Sequence, residues 1–158
     1  MNPNYDRVEA MLDKALASLG IPLDQAKVKD QPYTWELLRG EAPVGIFLRE
    51  SDTYKGKETC VVIAAILMVA PTERQAQFEL AQTLLSINHS LISEHFSLSD
   101  DFRVWLSTAR PVAGMESHEF IDLLSNLGNC IDVFRPELVQ RFGQSAAGAA
   151  PHEADDEA

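Results

Sequence analysis

The amino-acid sequence predicts an α+β fold with the element order α-β-β-β-α-β-β-α, and three observations carry that prediction. Apolar residues recur with helical spacing near both ends of the chain and once in the middle. Between these segments the apolar period changes to two, first in three neighbouring segments and then in two more. The connections inside each group are short, so we expect a mostly antiparallel five-stranded sheet with the helices packed on one face.

The first predicted helix begins at the N-terminus, where Asn2 suits the N-cap and Pro3 suits the first helical position. Gly20 is typical of a helix end, and a polar connector follows over residues 24–32. The helix carries one apolar stripe: Val8, Met11, Leu12, Ala15, Leu16 and Leu19.

Three strands are predicted next. The segments YTWELLRG and VGIFLRE alternate around a turn over residues 40–43 and predict a β-hairpin. The third segment, residues 60–70, is a run of eleven apolar residues ended by Pro71. It is too short for a bilayer span of about 20 residues, and its Val and Ile content favours a central strand that needs cover on both faces. The sequence leaves open which set of alternate residues faces the helices: Val61, Ile63, Ala65 and Leu67, or Cys60, Val62, Ala64, Ile66 and Met68.

A second helix is predicted from Thr72, because Thr72 and Gln75 have capping-box spacing. Asn88 is the polar residue on its inner stripe, and we expect its amide to bond backbone where the helix meets the next strand. The predicted stripe is Phe78, Ala81, Leu84, Leu85, Asn88, Leu91 and Ile92.

The segments HFSL and FRVWLST predict the fourth and fifth strands, joined by a turn over residues 99–101. Alternation in the fifth strand places Phe102, Val104 and Leu106 on one face and Trp105 on the other.

The last helix is predicted from Glu116 or Ser117, and Pro136 is predicted to kink it or to begin a terminal turn. Residues 143–158 are small, polar and acidic, which is typical of a disordered tail. We therefore expect a single domain over residues 1–142.

Composition limits the partners. The chain of 158 residues has a formal charge of -11, and its acidic surface would repel nucleic acid and anionic lipid, so neither is expected as a partner. The N-terminus lacks the pattern of a secretory signal. Cys60 and Cys130 lie in apolar stretches and are interpreted as buried thiols rather than a disulfide framework. A cytoplasmic protein follows from these observations.

Few residues suggest chemistry. Cys60 with a histidine would form a nucleophile and base, but no basic neighbour activates it, so a structural thiol is favoured. His89, His95 and His118 have no standard metal-ligand spacing.

The acidic pairs at 100–101 and 155–156 are interpreted as a turn and part of the tail rather than a catalytic pair. The glycines are too scattered for a phosphate-binding loop. We therefore predict no catalytic, cofactor-binding or metal-binding residue, and no enzyme; the alternative is an enzyme whose cleft is invisible in the sequence.

The second face of the predicted sheet is too apolar to be left in water. We expect another polypeptide to cover it, either a second copy of the chain or an extended client segment. The alternative is that the first or last helix wraps over this face. The predicted partner surface is Leu38, Phe47, Val62, Ala64, Ile66 and Trp105.

The element order resembles the class I type III secretion chaperone fold of the Tir-chaperone type. Local phrases most resemble the YbjN-like family, which shares that fold: TWELLRGEAPVGIFL (34–48), VVIAAILMVAP (61–71), LLSINHSL (84–91) and DVFRPELVQRFG (132–143). The long connector and the acidic tail depart from the pattern.

The resemblance implies a non-enzymatic protein. Chaperones of this fold are small, acidic, cytoplasmic homodimers that hold an extended effector segment against apolar patches, and YbjN-like proteins imply a regulatory role. The resemblance supplies no catalytic residue. It leaves a chaperone-like or regulatory binding module and a dedicated chaperone for one secreted effector as the two candidates within binding proteins.

Overall fold

The structure, a computed structural model, describes residues 3–145 of the chain. Its elements follow the predicted order and add one helical turn and one short terminal strand. The elements are α1 (Pro3–Ser18), α2 (Leu23–Ala26), β1 (Thr34–Arg39), β2 (Ala42–Thr53), β3 (Gly56–Val69), α3 (Arg74–Ser90), β4 (His95–Leu98), β5 (Arg103–Pro111), α4 (Ser117–Phe142) and β6 (Gln144–Ser145).

The five predicted strands form one antiparallel sheet in the order β1-β2-β3-β5-β4, so β3 is central and β1 and β4 are the edges. The two residues of β6 pair with Val69 and Met68. The predicted tail therefore begins with a short paired strand, and its remainder, residues 146–158, lies outside the described residues.

One face of the sheet, called here the inner face, packs against the helices. Val61, Ile63 and Ala65 of β3 belong to the same buried core as Leu12 of α1 and Phe120 of α4. The structure thus decides which alternate set of β3 lies under the helices. The largest fully buried side chains in the described residues are Trp35, Phe120, Leu12, Leu16, Ile46, Ile63, Leu67, Met68, Leu80, Leu106, Leu127 and Leu138.

A β-bulge separates Met68 from the other members of its predicted alternate set. The register between β3 and β5 shifts between Ile66 and Met68, which leaves Leu67 without a partner on β5. An extra residue in one strand reverses the side-chain alternation beyond it. Met68, predicted on the same face as Ile66, is therefore fully buried in the inner core.

The connector before β1 is more ordered than predicted. It contains α2, and Lys27 forms an isolated antiparallel bridge with Trp35. The indole N–H of the buried Trp35 donates to Asp13 at 2.9 Å, and Lys27 bonds the same carboxylate at 2.7 Å. That contact with Asp13 is the main reason that the pKa of Lys27 is raised. These contacts fasten α1 to the first strand.

The start of α3 differs from the prediction. The helix begins at Arg74, and the cap is Glu73, whose carboxylate accepts from the backbone N–H groups of Gln75 and Ala76. Those backbone bonds lower the pKa of Glu73. A carboxylate at this position also suits the positive end of the helix dipole, so Glu73 replaces the predicted Thr72.

The predicted apolar stripe of α3 is partly wrong. The side chains that reach the core are Leu80 and Leu84, with Ile87 and Leu91 packed beside them, whereas Phe78, Leu85 and Ile92 are exposed. The helix carries two apolar stripes with nearly the same spacing, and only packing selects which one is buried.

Asn88 performs the predicted structural role. Its amide donates to the backbone oxygen of Phe96 at 3.0 Å and accepts from the N–H of Phe96 at 2.7 Å. The side chain therefore acts as a strand neighbour for β4 and joins the end of α3 to the sheet.

Phe102 was predicted to share one face of the sheet with Val104 and Leu106, and the structure contradicts that prediction. It precedes β5, has a φ of 59°, and is half-exposed. Its N–H bonds the oxygen of Ser99 at 2.9 Å, and the N–H of Ser99 bonds the oxygen of Arg103 at 3.0 Å. Phe102 thus occupies the left-handed position of a tight hairpin turn, where glycine is the usual residue.

The last helix, α4, begins at Ser117 as predicted and continues through Pro136 to Phe142. A single long helix therefore crosses the inner face of the sheet, where Leu127, Ile131 and Leu138 join the core.

A candidate protein-binding face on the sheet

The outer face is the surface of the sheet that points away from the helices. Strand register places the predicted partner residues together on it. Phe47 of β2 lies directly opposite Val62 of β3, and Ile66 lies opposite Trp105 of β5. Ala64 lies between these two pairs along β3, so the apolar side chains form a continuous band across three strands.

Exposure varies within this band. Val62 and Ala64 are buried by their neighbours in the sheet, Phe47, Ile66 and Trp105 are half-buried, and Leu38 on the edge strand is 74% exposed. The accessible apolar area thus comes from the larger side chains at the margins of the band.

The helices do not wrap over this face, and that alternative is wrong for the described residues. Leu16 of α1 and Leu127 of α4 belong to the core that contains Ile63, on the inner side. Val62, Ala64 and Ile66 are absent from that core. The outer face therefore lacks helical cover from the described part of the chain.

Polar groups at the margin of the outer face bond mainly to one another. The indole N–H of Trp105 donates to the hydroxyl of Ser99 at 3.2 Å, and His95 contacts the hydroxyl of Ser107 at 3.1 Å. Within residues 3–145, no hydrogen bond joins a carboxylate to His95, so this contact lacks the third group of a catalytic triad.

The other residues considered for catalysis or metal binding do not form a site together in the described part of the chain. Cys60 is buried, and Cys130 is half-buried with a pKa raised by burial and by the nearby charge of Glu94, which disfavours the reactive thiolate. In the described part of the chain, no group of three His, Cys, Asp or Glu side chains is arranged to hold a metal ion. Asp101 bonds Ser99 and pairs with Arg103, and these contacts lower its pKa as expected for a turn residue.

A cleft of about 940 Å³ lies on the inner side, between β1, the start of β2, the α1–α2 loop and α4. Its walls are mainly apolar, and Leu37, Val44 and Leu124 are examples. The lining contains no His, Cys or Asp, and Glu36 is its single carboxylate. A lone carboxylate does not form the paired acid and base of most hydrolytic sites.

Arg39 lines this cleft and takes part in one of two ion pairs that the sequence did not predict. Arg39 donates to Asp132 from both Nε and Nη2, and these bonds together with its charge lower the pKa of that carboxyl. Arg135 bonds Glu41 at 2.9 Å. The partners are more than 90 residues apart in the chain, so no local sequence signal pairs them. Both pairs join the β1–β2 hairpin to α4.

The two edge strands differ in how their backbone is covered. On β4, Asn88 occupies the outward N–H and C=O of Phe96. On β1, Val28 bonds the outward oxygen of Thr34 at 3.0 Å, but the described residues provide no such partner to Leu38, three residues beyond the bridge between Lys27 and Trp35. The free part of the β1 edge therefore adjoins both the cleft and the outer face.

The fold is that of type III secretion chaperones and YbjN, which confirms the resemblance seen in the sequence. No family model matches the chain. No curated protein matches its sequence either. No helix in the described residues has the length and apolar content needed to cross a bilayer.

Three solved structures illustrate the likeness. A chain from the ExsC–ExsE complex has a TM-score of 0.61 and 16% identity, covering 84% of this chain and 93% of its own. A chain from the HopA1–SchA chaperone–effector complex has a TM-score of 0.58 and 14% identity, covering 86% and 98%. YbjN from E. coli has a TM-score of 0.57 and 17% identity, covering 83% and 90%.

Proposed function

We propose that this protein is a non-enzymatic, cytoplasmic binding module that holds an extended segment of another polypeptide on the outer face of its sheet and acts as a homodimer. The observation that carries the proposal is the band of Phe47, Val62, Ile66 and Trp105, which lies outside the helical core. The similar solved chains support it, because two of them come from complexes with a protein partner.

The physical argument is the cost of exposure. Removing a Phe, Ile or Val side chain from water contributes roughly 1.5–3 kcal/mol when burial is complete. A partner that covers the half-buried Phe47, Ile66 and Trp105 gains part of that free energy at each position. An extended segment fits because it can lie along the band and also hydrogen-bond the free edge of β1 near Leu38.

A general regulatory or chaperone-like module is the leading form of the proposal. A dedicated chaperone for one secreted effector is the second form, favoured by the chaperone–effector complex among the similar structures. An enzyme working in the inner cleft is the alternative outside binding proteins, and Glu36 as its single carboxylate disfavours it.

Site-specific cross-linking tests the proposal. A photoreactive phenylalanine analogue replaces Phe47 on the outer face, and in a matched control it replaces Val133, an exposed apolar residue of α4. We expect a partner polypeptide to cross-link at position 47 and not at 133. A synthetic peptide covering the cross-linked segment should then bind the wild-type protein at least ten-fold more tightly than a Trp105→Asp variant.

Trp105→Asp should retain the cooperative unfolding transition of the wild type, because the side chain is only half-buried. Equal peptide affinity for the two proteins would exclude the outer face as the binding surface. Loss of the folded state in the variant would show instead that Trp105 serves the fold, and an outer-face site would be rejected if a Phe47→Asp variant then also bound normally.

A further inference from the structure

The short strand β6 sets the direction in which residues 146–158, called here the terminal segment, leave the sheet. Val69 and Met68 pair with β5 on one edge and with β6 on the other, so β6 lies on the β2 side of β3. Both β6 and β2 run antiparallel to β3, and the register places Ala42, the first residue of β2, one position beyond Ser145. The chain after Ser145 therefore meets the start of β2 and must turn onto one face of the sheet.

The inner face is closed at this point. Arg135 of α4 bonds Glu41 at 2.9 Å, and Glu41 lies in the turn directly before β2. Ala42 and Leu138 of α4 are buried in the same hydrophobic core. The outer face has no helical cover among the described residues, so it is the open direction for the terminal segment.

The terminal segment and the outer face have their apolar and charged parts in the same order. Residues 146–151 are alanine, glycine and proline, and the carboxylates begin at Glu153. On the outer face, β3 carries only apolar side chains from Ile66 to Cys60, and the basic Arg49 of β2 lies opposite Cys60. A segment that runs along β3 away from β6 therefore meets apolar surface first and a positive charge afterwards.

The lengths agree as well. Met68, which pairs with Ser145, is eight residues from Cys60, so about 26 Å separates the end of β6 from Arg49. Glu153 is eight residues beyond Ser145, and an extended chain covers about 26 Å over that number of residues. Glu153 can therefore reach Arg49 while the uncharged residues before it lie over the apolar band.

The far end of the outer face offers cations to the carboxylates of the terminal segment. The exposed Arg49 bonds the hydroxyl of Ser51 at 3.3 Å, and no carboxylate of the described residues forms an ion pair with it. Lys55, at the tip of the β2–β3 hairpin, also has no ion pair within residues 3–145. Glu58 lies on the same side, but its carboxylate accepts from the hydroxyl of Thr53. In a chain with a formal charge of -11, these two cations attract an acidic segment that most of the surface repels.

We propose that the terminal segment turns onto the outer face after Ser145 and runs along β3, with its uncharged part over the apolar band and Glu153 beside Arg49. The segment then occupies the surface assigned above to a client, so this inference rests on the proposed function and adds regulation to it. Its four alanine side chains gain less from burial than the larger apolar side chains of a client. Attachment to the same chain offsets this weakness with an effective concentration on the order of millimolar, so a client must displace the segment.

Photo-cross-linking of the purified full chain, without any client, tests the contact. The photoreactive phenylalanine analogue in place of Phe47 should cross-link to residues 146–158, and the same analogue in place of the exposed Val133 should not. A mixture of unlabelled and nitrogen-15-labelled protein separates links within one chain from links between two chains, and we expect links within one chain. No cross-link from position 47 to the segment, or links that mainly join two chains, would overturn the inference.

Neutralising the terminal segment tests the role of its charge without changing the residues that form the core. We expect the yield of the intrachain cross-link to fall at least five-fold in a full-length variant with four changes: Glu153→Gln, Asp155→Asn, Asp156→Asn and Glu157→Gln. A control variant changes the net charge equally at four exposed carboxylates away from the outer face: Asp24→Asn, Asp30→Asn, Asp122→Asn and Glu137→Gln. The control should keep the wild-type yield, and an equal yield in both variants would contradict the charge pairing.

Reversing the charge of Arg49 tests the other side of the contact. Arg49→Glu should lower the cross-link yield at least five-fold, because the new carboxylate repels Glu153. Arg7→Glu is the matched control, since Arg7 is an exposed arginine of α1, on the helical side of the sheet. A full yield in Arg49→Glu, or the same loss in Arg7→Glu, would show that Arg49 does not hold the segment.

The client peptide of the proposed function measures the regulation. The variant with a neutral terminal segment should bind that peptide at least three-fold more tightly than the wild type or the charge control, because the peptide no longer competes with a bound segment. An unchanged peptide affinity in a variant that has lost the intrachain cross-link would overturn the competition.

The two proposals fail separately. If position 47 captures no client, the proposed function fails while the intrachain cross-link of the purified protein still stands. If the purified protein shows no intrachain cross-link, the inference about the terminal segment fails while the difference in peptide affinity between the wild type and Trp105→Asp still stands.

Discussion

The inner and outer faces of β3 carry the same kinds of side chain but meet different surroundings. Val61 and Ile63 lie in a core built from the helices and the sheet, whereas Val62 and Ile66 lie outside that core among the described residues, opposite Phe47 and Trp105 of the neighbouring strands. Hydrophobic character therefore does not tell which face of a strand the helices cover. Hydrophobic side chains on both faces of β3 indicate only that each face must be shielded from water. On the outer face we propose that another polypeptide provides this shielding.

The largest expected effect is the loss of stability when a charge is placed on the inner face. The same change on the outer face should cost less. Ile46 and Phe47 are neighbours on β2, and Ile46 is fully buried whereas Phe47 is half-buried on the outer face. Ile46→Asp should cost about 4–5 kcal/mol or more, a large part of a typical free energy of unfolding. Phe47→Asp should cost about 1–2 kcal/mol, because its carboxylate can remain hydrated.

Thermal and urea unfolding followed by circular dichroism measure both variants. The comparison of the two faces would break down if the variants lost similar stability, because the outer face would then be as closed as the inner one.

A smaller loss of stability is expected at the contact between the end of α3 and the edge strand β4. Asn88→Ala removes a donor and an acceptor from the partly buried backbone of Phe96, and we expect a loss of about 2 kcal/mol. Ser90→Ala is a control in the same helical turn, since its exposed hydroxyl bonds only the oxygen of Ile87. It should cost less than about 0.5 kcal/mol.

Urea unfolding gives both values, and hydrogen exchange at Phe96 gives a local readout. Unchanged protection of the Phe96 amide in Asn88→Ala would show that the edge of β4 does not depend on this side chain.

The smallest effect concerns Phe102, at the turn between β4 and β5. Both Phe102→Gly and Phe102→Ala remove the ring, but glycine tolerates a φ of 59° without the steric cost that alanine incurs. The glycine variant should therefore be more stable than the alanine variant by about 1 kcal/mol, the reverse of the order in a helix. Denaturant midpoints measured side by side test the difference, and an alanine variant of equal or greater stability would contradict it.

The sequence predicted the element order and the central strand because both depend on local periodicity. Residues 60–70 are apolar without interruption, rich in β-branched Val and Ile, and bounded by Pro71, which favours a strand over a helix. The role of Asn88 could also be predicted from local sequence, because a lone amide on an apolar stripe at a helix end has few hydrogen-bond partners besides nearby backbone.

The candidate site was only partly predictable. Phe47 and Trp105 could be placed on the outer face because they break the alternation of their own strands. Phe78 and Leu85 were assigned to the wrong side of α3, since two apolar stripes with similar spacing lie on that helix. Packing against the sheet, and not spacing along the helix, decides that Phe78 and Leu85 are exposed.

The sequence by itself determined the order of the main helices and strands and that β3 is apolar on both faces. Only the tertiary structure decided which of those faces lies under α1 and α4, how the bulge at Leu67 turns Met68 inward, and which stripe of α3 is left in water. The physical reason is that periodicity fixes the relative direction of side chains along one element. The partner that each side chain meets depends on contacts between residues far apart in the chain, such as Arg39 with Asp132.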